Sequence, residues 1–262
     1  MKAKIGIIGG SGFYKFLKGK EVLVKTPYGL PSDKILISEY AGQKIVFLPR
    51  HGKKHQFPPH KINYQANLFA FKKLGVERII APCAVGSLRL EIKPGDFVIC
   101  DQFIDRTKKR NDTFFDGPKV VHISSAEPYC SELRKIAIRN TQKLKIPFLK
   151  RGTVVVIEGP RFSTKAESIY YSKIADVINM TQCPEVVLAR ELQMCYLNIS
   201  LVTDYDVGIK GREDIETVSI QEIIKIFQKN TAVLKKLILE IIKEMPVQRK
   251  CSCQRALKDA VV

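Results

Sequence analysis

Short apolar segments alternate along this chain with longer segments in which apolar and polar residues recur at helical spacing. The short segments are apolar at nearly every position, which is typical of strands buried on both faces of a sheet. They predict strands at residues 44–48, 78–82, 96–100, 152–157, 177–180 and 197–202.

The longer segments predict amphipathic helices, because their apolar residues return to one face every three or four positions. Pro184 stands in a first helical turn, where its missing N–H is tolerated. Strands that alternate with helices predict an α/β fold, a single-domain three-layer sandwich with a mixed β-sheet flanked by helices. The predicted helices cover residues 64–74, 131–144, 164–175, 184–193 and 219–244.

The chain has 262 residues, and 45% of them are hydrophobic, which is enough for one full core. No linker, repeat or change of composition divides it, so we expect one domain over residues 1–245 and a C-terminal tail over residues 246–262. The N-terminal apolar run is too short for a signal sequence, and no stretch approaches the length of a membrane span. We therefore expect a cytoplasmic protein with no membrane partner.

The formal net charge is +18, and a charge of this size often accompanies binding to nucleic acid. Here the lysines are scattered through every segment, without a nucleic-acid-binding motif or a basic arm. A solvated basic surface explains the charge better, so we expect no nucleic-acid partner. Such a surface still attracts small anions.

A glycine-rich turn at residues 9–12 follows the first apolar run. It is typical of a phosphate cradle, because glycines let backbone N–H groups crowd around an anion. The dinucleotide-binding fingerprint needs a further glycine where this chain has Lys15, and residues 21–25 alternate like a strand where a helix should follow. The pattern argues against a nicotinamide oxidoreductase and leaves a phosphate site or a plain tight turn.

Polar residues follow most of the predicted strands directly, where functional residues of α/β folds gather. Arg50 and His51 follow one strand, and a guanidinium and an imidazole there suit phosphate or carboxylate. Hydroxyls from Ser11 and Thr181 add neutral donors. Taken alone, Arg50 also fits a surface cation and His51 a satisfied core residue.

Asp204 and Asp206 end another predicted strand. Carboxylates at this position can act as a general acid, bind an amino group or cap a helix. A phosphate held opposite a carboxyl group suggests phosphorolysis, in which an oxyanion attacks carbon while the carboxyl group helps a heterocycle to leave.

The histidines and cysteines show no metal pattern. His51, His55 and His60 match no zinc spacing and have no carboxylate or cysteine nearby, so we expect no metal site.

The cysteine count of seven is odd. Cys251 and Cys253 stand in a polar tail, where we expect them to be exposed and either redox-active, joined in a small strained ring, or free thiols.

Several strand-end motifs follow one another in a recognisable order: IGIIGGSG, LPRHG, HKINYQAN, AVGSL, EGPRFST, INMT, PEVVLARE and VTDYD. Together they resemble the trimeric purine nucleoside phosphorylase family, from about residue 4 to residue 206 and more loosely through the last helix. The resemblance implies that inorganic phosphate attacks the anomeric carbon of S-methyl-5'-thioadenosine, giving adenine and 5-methylthioribose 1-phosphate. It implies no cofactor, because inorganic phosphate is a co-substrate.

The same resemblance implies roles for individual residues. The ribose would lie at Met180, and the purine at Phe162, Ser163, Asp204 and Asp206. Asp204 would be the catalytic residue that protonates purine N7, which requires a raised pKa. Asp204 and Ser163 favour adenine over 6-oxopurines, because the 6-amino group is a donor and needs an acceptor. The phosphate would be bound by Ser11, Arg50, His51, Cys83, Ala84 and Thr181.

The resemblance also implies a methylthio pocket formed by Ile220, Ile223 and Ile224 and closed by His122 of an adjacent subunit. From helical spacing alone, the isoleucines fit plain core packing equally well. A site shared between subunits implies a homo-oligomer, either a homotrimer or a dimer of trimers.

The cysteines of the tail resemble those of hyperthermophilic archaeal members of the family. That likeness implies stabilising disulfides, with Cys251 and Cys253 as one pair and Cys130 and Cys195 as another.

Other functions stay open at this stage. The nearest is a broad-specificity purine nucleoside phosphorylase or a methylthioinosine phosphorylase. A basic nucleic-acid-binding protein is a different class, which the scattered lysines disfavour.

Overall fold

The computed structural model describes residues 3–10, 17–209, 211, 214–215 and 218–262. The strands are β1 (Ile5–Gly9), β2 (Lys20–Val22), β3 (Ile35–Tyr40), β4 (Gln43–Pro49), β5 (Arg78–Ser87), β6 (Phe97–Val98), β7 (Gln102–Arg106), β8 (Phe148–Leu149), β9 (Thr153–Ile157), β10 (Val177–Asn179) and β11 (Cys195–Asp204). The helices are α1 (Tyr64–Lys73), α2 (Ser131–Lys143), α3 (Lys165–Tyr171), α4 (Gln182–Glu191) and α5 (Ile220–Lys243), with short 3-10 helices at Pro59–Lys61 and Ser252–Arg255.

The strands form one mixed sheet around the long strand β5. This strand lies parallel to β1 near its start, parallel to β11 over most of its length, and antiparallel to β10 at its end. The sheet continues from β1 through β4, β3 and β2, and from β10 through β9 and β7. Because β1 is parallel to both β4 and β5, and β5 to β11, the carboxyl ends of these four strands lie at one edge.

Helices cover both faces of the sheet, which explains why its strands are apolar at nearly every position. On β11, Leu197 and Ile199 pack into a core cluster with α2 and α5. Tyr196 and Val202, on the opposite face, pack into a second cluster with α1 and α4. The predicted three-layer sandwich with a mixed sheet is confirmed.

Three predicted helices show where local sequence signals succeed and fail. The helix predicted at 219–244 is α5, and Ser219 caps it by accepting a hydrogen bond from the Glu222 N–H. Cys183 is extended, so the regular part of α4 begins at Pro184 as predicted. The helix predicted at 164–175 is too long, because α3 ends at Tyr171 and the chain continues in tighter turns.

The C-terminal tail packs against the rest of the chain. Cys251 and Cys253 are only 7% and 5% exposed and belong to the core cluster with α2 and α5, so the predicted exposure of these thiols is wrong. The short 3-10 helix that begins at Ser252 turns both side chains inward. At the end of the tail, the Val262 N–H donates to the Val120 carbonyl and the His122 N–H to the Ala260 carbonyl.

In the described part of the chain, none of the helices combines the length and apolar character that crossing a bilayer requires. The long helix α5 instead has one buried apolar face, formed by Leu234, Leu237, Ile238, Ile241 and Ile242.

Truncating a buried side chain of α5 tests this packing. Ile238 is fully buried, so a shorter side chain leaves a cavity that the core fills only in part. We expect Ile238→Ala to lower the free energy of unfolding by about 2–5 kcal/mol and Ile238→Val by about 0.5–1.5 kcal/mol. Denaturant unfolding measures both values, and equal losses for the two variants would contradict the packing described.

Candidate active site

The loops that follow β4, β5 and β11 lie at the shared carboxyl edge of these strands and β1. The loops that follow β9 and β10 leave strands that run antiparallel to β5. The Arg50 N–H, just after β4, donates to the Gly9 carbonyl at the end of β1 over 2.8 Å. Ser11 lies outside the described residues. At the end of β5, a Cβ atom on Gly86 would come within 2.9 Å of Asp204 Oδ1 and 3.2 Å of Asp206 Cβ. Gly86 therefore permits the close approach of β5 to the two aspartates.

Arg50 is not a surface cation, because its guanidinium is buried and paired with a carboxylate. Its Nε and Nη2 donate to the two carboxylate oxygens of Glu185 over 2.7 and 2.9 Å. Nη2 also donates to the Ile8 carbonyl and Nη1 to the Pro82 carbonyl. The Tyr196 hydroxyl donates to Glu185 over 2.8 Å and completes the network.

This network determines what Arg50 can offer a ligand. A guanidinium has five N–H groups, and the contacts to Glu185, Ile8 and Pro82 use four of them. One hydrogen on Nη1 remains outside the network. Arg50 can therefore donate a single directed hydrogen bond, and its charge is already partly neutralised by Glu185.

His51 is held as a neutral imidazole in one tautomer. Burial lowers the pKa of His51 to about 4, although a backbone hydrogen bond opposes the shift and the neighbouring Arg50 reinforces it. Nδ1 lies 2.9 Å from the Phe57 carbonyl, which can only accept, so Nδ1 carries the proton. The sequence suggested an oxyanion-binding imidazole, but Nε2 is an acceptor at neutral pH and binds a protonated oxygen rather than a bare anion.

Asn179 makes hydrogen bonds to two of the segments that are predicted to bind phosphate. Its side-chain oxygen accepts hydrogen bonds from the Thr181 N–H, the Thr181 hydroxyl and the Gln182 N–H. Its side-chain nitrogen donates to the Ala84 carbonyl over 2.9 Å. The structure thus brings the Ala84 and Thr181 segments together, as the prediction of a composite site requires.

The Cys83 side chain points into a buried polar network. Its Sγ lies 3.2 Å from the Asn198 side-chain nitrogen and 3.7 Å from the Ser200 hydroxyl. Burial raises the pKa of Cys83, which keeps the thiol neutral. A contact between phosphate and this part of β5 therefore depends more on the backbone of Ala84 than on the Cys83 thiol.

Asp204 sits at a β-bulge where β11 changes register against β5. Such bulges redirect side chains at active sites. Its carboxylate accepts hydrogen bonds from the Thr203 hydroxyl over 2.7 Å and from the Asp206 N–H over 2.8 Å. Burial outweighs both contacts and raises the pKa of Asp204 to about 6. The raised pKa that the general-acid role requires is present.

Asp206 and Ser163 are buried side by side near the aspartate loop. Burial raises the pKa of Asp206, and the nearby Ser163 and Ser168 hydroxyls oppose the shift. Within the described part of the chain, Asp206 Oδ2 and Ser163 Oγ make no hydrogen bond of normal geometry. Since buried polar atoms are normally paired, these two can exchange their weak mutual contacts for a hydrogen bond to a ligand. Asp206 also has a left-handed backbone with a φ of 53°, which aspartate tolerates better than most residues.

The loop with Phe162 and Ser163 lies against Met180. A Cβ atom on Gly159, whose φ is +68°, would fall 2.7 Å from Met180 Sδ. Gly159 is therefore required both for its left-handed backbone and for this close contact. The residues predicted at the purine and at the ribose thus occupy neighbouring loops, and Phe162 is half-buried there.

The residues predicted for the methylthio pocket are mostly exposed in the single chain. Ile220 and Ile224 in the first turns of α5 are 54% and 49% exposed, so they do not form core, and Ile223 is half-buried. His122 is exposed as well. Their common pocket stays a prediction, since the structure describes one subunit.

Sequence reasoning missed the residues that hold the site together. Glu185 and Asn179 stand within the motifs PEVVLARE and INMT but had no role assigned, because the contacts to Arg50 and Ala84 that define their roles lie far away in the chain. Arg110 was not singled out at all, yet it is buried and donates to the carbonyls of Cys183 and Glu158. It thereby joins the start of α4 to the loop that carries Phe162 and Ser163.

The remaining predictions concern the cysteines and two of the histidines. All seven cysteines are free thiols in the structure, so the predicted pairs Cys251–Cys253 and Cys130–Cys195 stay predictions. The sulfur atoms of these four residues nevertheless lie within 4.8 Å of one another. The rings of His51 and His55 stack with centroids 4.5 Å apart.

Comparisons with known proteins bear on this site. A sequence profile of the phosphorylase superfamily matches residues 4–243. The chain is 53% identical over 265 residues to the S-methyl-5'-thioadenosine phosphorylase of Thermofilum pendens, covering 100% of this chain and 99% of that protein. It is 55% identical over 260 residues to the protein of the same name from Pyrococcus horikoshii, with 99% of each chain covered.

Solved structures show the same relationship. The methylthioadenosine phosphorylase from an antarctic soil metagenomic library is 41% identical with a TM-score of 0.91, over 100% of this chain and 93% of that one. The methylthioadenosine phosphorylase from Schistosoma mansoni in complex with adenine is 36% identical with a TM-score of 0.91, over 98% and 97% of the two chains. Sequence and fold agree along the whole length, and the chain belongs to the phosphorylase superfamily.

Proposed function

We propose that this protein is an enzyme, a pentosyltransferase that cleaves S-methyl-5'-thioadenosine with inorganic phosphate. The products are adenine and 5-methylthioribose 1-phosphate. The observation that carries the proposal is the buried Asp204, whose pKa is raised to about 6, at the same sheet edge as the buried cation Arg50. The names of the relatives from Thermofilum pendens and Pyrococcus horikoshii support the same substrate.

Phosphate binds at the Arg50 end of the site. The Nη1 hydrogen of Arg50 that lies outside the network of described contacts supplies one directed donor. The Thr181 hydroxyl supplies another by exchanging its 3.3 Å hydrogen bond to Asn179 for one to phosphate, and the Ala84 backbone and Ser11 complete the set. His51 Nε2 accepts a hydrogen bond from the hydroxyl of hydrogen phosphate, since Nδ1 already donates to the Phe57 carbonyl. Because Glu185 partly neutralises Arg50, Arg50 attracts the phosphate anion less strongly than an unpaired arginine would.

The purine binds at the aspartate end, where charge develops as the bond breaks. A phosphate oxygen forms a bond to the anomeric carbon while the bond from that carbon to purine N9 breaks. The electron pair of that bond moves into the purine, and the Asp204 carboxyl group donates its proton to N7. Stabilising the leaving group in this way contributes on the order of 10²–10⁴ in rate.

Adenine is recognised by buried polar groups at this end of the site. Its 6-amino group is a donor, and Asp206 Oδ2 is a buried acceptor that makes no hydrogen bond of normal geometry in the described residues. Ser163 lies at the far edge of the base, with Phe162 against it, and Met180 lies at the ribose. A hypoxanthine base presents an acceptor at the same place, so the site favours adenine.

The 5'-methylthio group binds between subunits. The exposed isoleucines at the start of α5 provide an apolar wall that the single chain leaves open to solvent, and an exposed His122 from a neighbouring copy closes it. The functional protein is accordingly a homo-oligomer, a trimer or a dimer of trimers.

Phosphate dependence is the direct test of this reaction. We expect adenine release from S-methyl-5'-thioadenosine with phosphate and none without it, because phosphate is the nucleophile. Chromatography of adenine and phosphorus NMR of the sugar phosphate measure both products. Adenine release independent of phosphate would indicate hydrolysis, and equal kcat/KM values for inosine and S-methyl-5'-thioadenosine would indicate a broad nucleoside phosphorylase instead.

Replacing Asp204 with Asn tests the proton donor. We expect kcat/KM for S-methyl-5'-thioadenosine to fall by about 10²–10⁴-fold, with a relative shift of preference toward inosine. In the wild type, kcat/KM should fall as pH rises through about 6, because the carboxyl group loses its proton. The variant, measured in the same buffers, reports the pH dependence of phosphate itself. An unchanged pH profile and an unchanged substrate ratio would remove Asp204 from the mechanism.

The same variant makes a prediction about stability. The pKa of Asp204 is higher in the folded protein than its ordinary value of 3.8, so the native state binds the proton more tightly and loses stability as pH rises from 4 to 6. We expect Asp204→Asn to gain stability over the wild type across this interval, by up to about 3 kcal/mol. Denaturant unfolding at pH 4 and pH 7 measures the difference.

Replacing Glu185 with Gln tests the paired arginine. The variant leaves Arg50 buried without its counter-ion, so we expect a loss of about 3–5 kcal/mol of stability in the absence of phosphate, partly restored when phosphate binds. Glu191→Gln is the matched control, because Glu191 is a buried carboxylate of the same helix that binds Thr113 and Phe114 instead of a cation. Thermal unfolding against phosphate concentration distinguishes them. An equal gain from phosphate in both variants would contradict the role of Glu185.

A further inference from the structure

Four cysteines from three distant parts of the sequence converge far from the proposed active site. The sulfur atoms of Cys130, Cys195, Cys251 and Cys253 all lie within 4.8 Å of one another, and all four residues are buried. We propose that these thiols form a closed structural site for one zinc ion, bound by four thiolates.

The spacing of the sulfur atoms fits a single four-coordinate ion. Zinc bound tetrahedrally at about 2.3 Å from each sulfur holds its ligands about 3.8 Å apart. The sulfur atoms of Cys195 and Cys251 are separated by 3.3 Å, and none of the four is more than 4.8 Å from another. Cys195 and Cys251 belong to different predicted pairs and yet lie 3.3 Å apart, so the four sulfur atoms form one compact group.

The ligand set selects the metal. Thiolates are soft ligands that favour zinc over magnesium, calcium or manganese, and four thiolates leave no position for water, as in structural zinc sites. Binding releases one proton from each thiol and converts four neutral side chains and one Zn²⁺ into a group with two negative charges. No electron transfer is involved.

The surroundings suit a negatively charged centre. Cys130 is the N-cap residue of α2, so the unpaired N–H groups and the positive end of that helix lie beside its sulfur. A surface groove next to Cys251 provides a path for the ion to enter. Its charged lining residues are Lys135, Arg139 and Lys250, which outnumber Glu132 and Glu244.

The site would anchor the C-terminal tail to the domain. Cys195 begins β11 and Cys130 begins α2, whereas Cys251 and Cys253 belong to the tail. A ring closed between Cys251 and Cys253 alone restricts only a few residues, but an ion bound to all four joins segments far apart in sequence. Asp204 ends the same strand that Cys195 begins, about 30 Å away, so the site is structural rather than catalytic.

The test uses the full-length protein purified with reductant and supplied with zinc alone. We expect one zinc per chain by elemental analysis, with four of the seven thiols protected from titration until a strong chelator is added. Cobalt in place of zinc should give the intense visible bands of a tetrahedral tetrathiolate. Removal of the metal under reducing conditions should lower the melting temperature, and zinc should restore it.

Variants separate this site from the other buried thiols. Cys253→Ser should lower the zinc content and abolish the cobalt bands, whereas Cys100→Ala, which removes a buried cysteine outside the group, should keep one zinc per chain. The wild-type measurements decide the matter even if Cys253→Ser fails to fold. A native mass lower by four hydrogens, indicating two disulfides, would overturn the proposal. Seven titratable thiols with no metal retained at micromolar free zinc would overturn it as well.

Discussion

The buried ion pair between Arg50 and Glu185 is the constraint on which the active-site edge depends. A charge removed from water must find partners, and this guanidinium finds them on β1, β5 and α4, while the carboxylate adds Tyr196 from β11. These elements can meet only in the arrangement that satisfies both groups. The ion pair therefore makes a shift of one strand costly, and it positions the loop after β4 for its ligand.

The opposite end of the site is organised by exclusion of water. Asp204 is placed by a bulge in β11, approached by the bare backbone of Gly86, and left with few hydrogen bonds. Its high pKa follows from this environment, because the charged form has lost its hydration. The two ends of the proposed site therefore differ in electrostatics. Arg50 at one end is a cation paired with a carboxylate, whereas Asp204 at the other end is a carboxyl group that burial keeps from ionising easily.

The sequence predicts what depends on neighbours along the chain. The helix at 219–244 was correct within one residue at each end, because its apolar face and its Ser219 cap are local signals. The sequence does not predict the partner of Arg50, since Glu185 lies 135 residues away and its pairing depends on the tertiary fold. The prediction that the tail cysteines are exposed was wrong because it rested on local composition. The many basic and polar residues of the tail predicted exposure, yet a short 3-10 helix turns Cys251 and Cys253 into the core. Strand β7 was missed because three of its five residues are exposed and none is fully buried, so its sequence shows no buried apolar run.

The tautomer of His51 bears on which oxygen of the nucleophile reacts. With Nδ1 committed to the Phe57 carbonyl, Nε2 offers only a lone pair. In the proposed reaction, a hydrogen phosphate next to Nε2 must therefore turn its single hydroxyl toward it. The three remaining oxygens share the negative charge and face the donors and the sugar. The hydrogen bond to the imidazole thus orients the phosphate ion, so that the oxygen that attacks the sugar is one of the unprotonated oxygens.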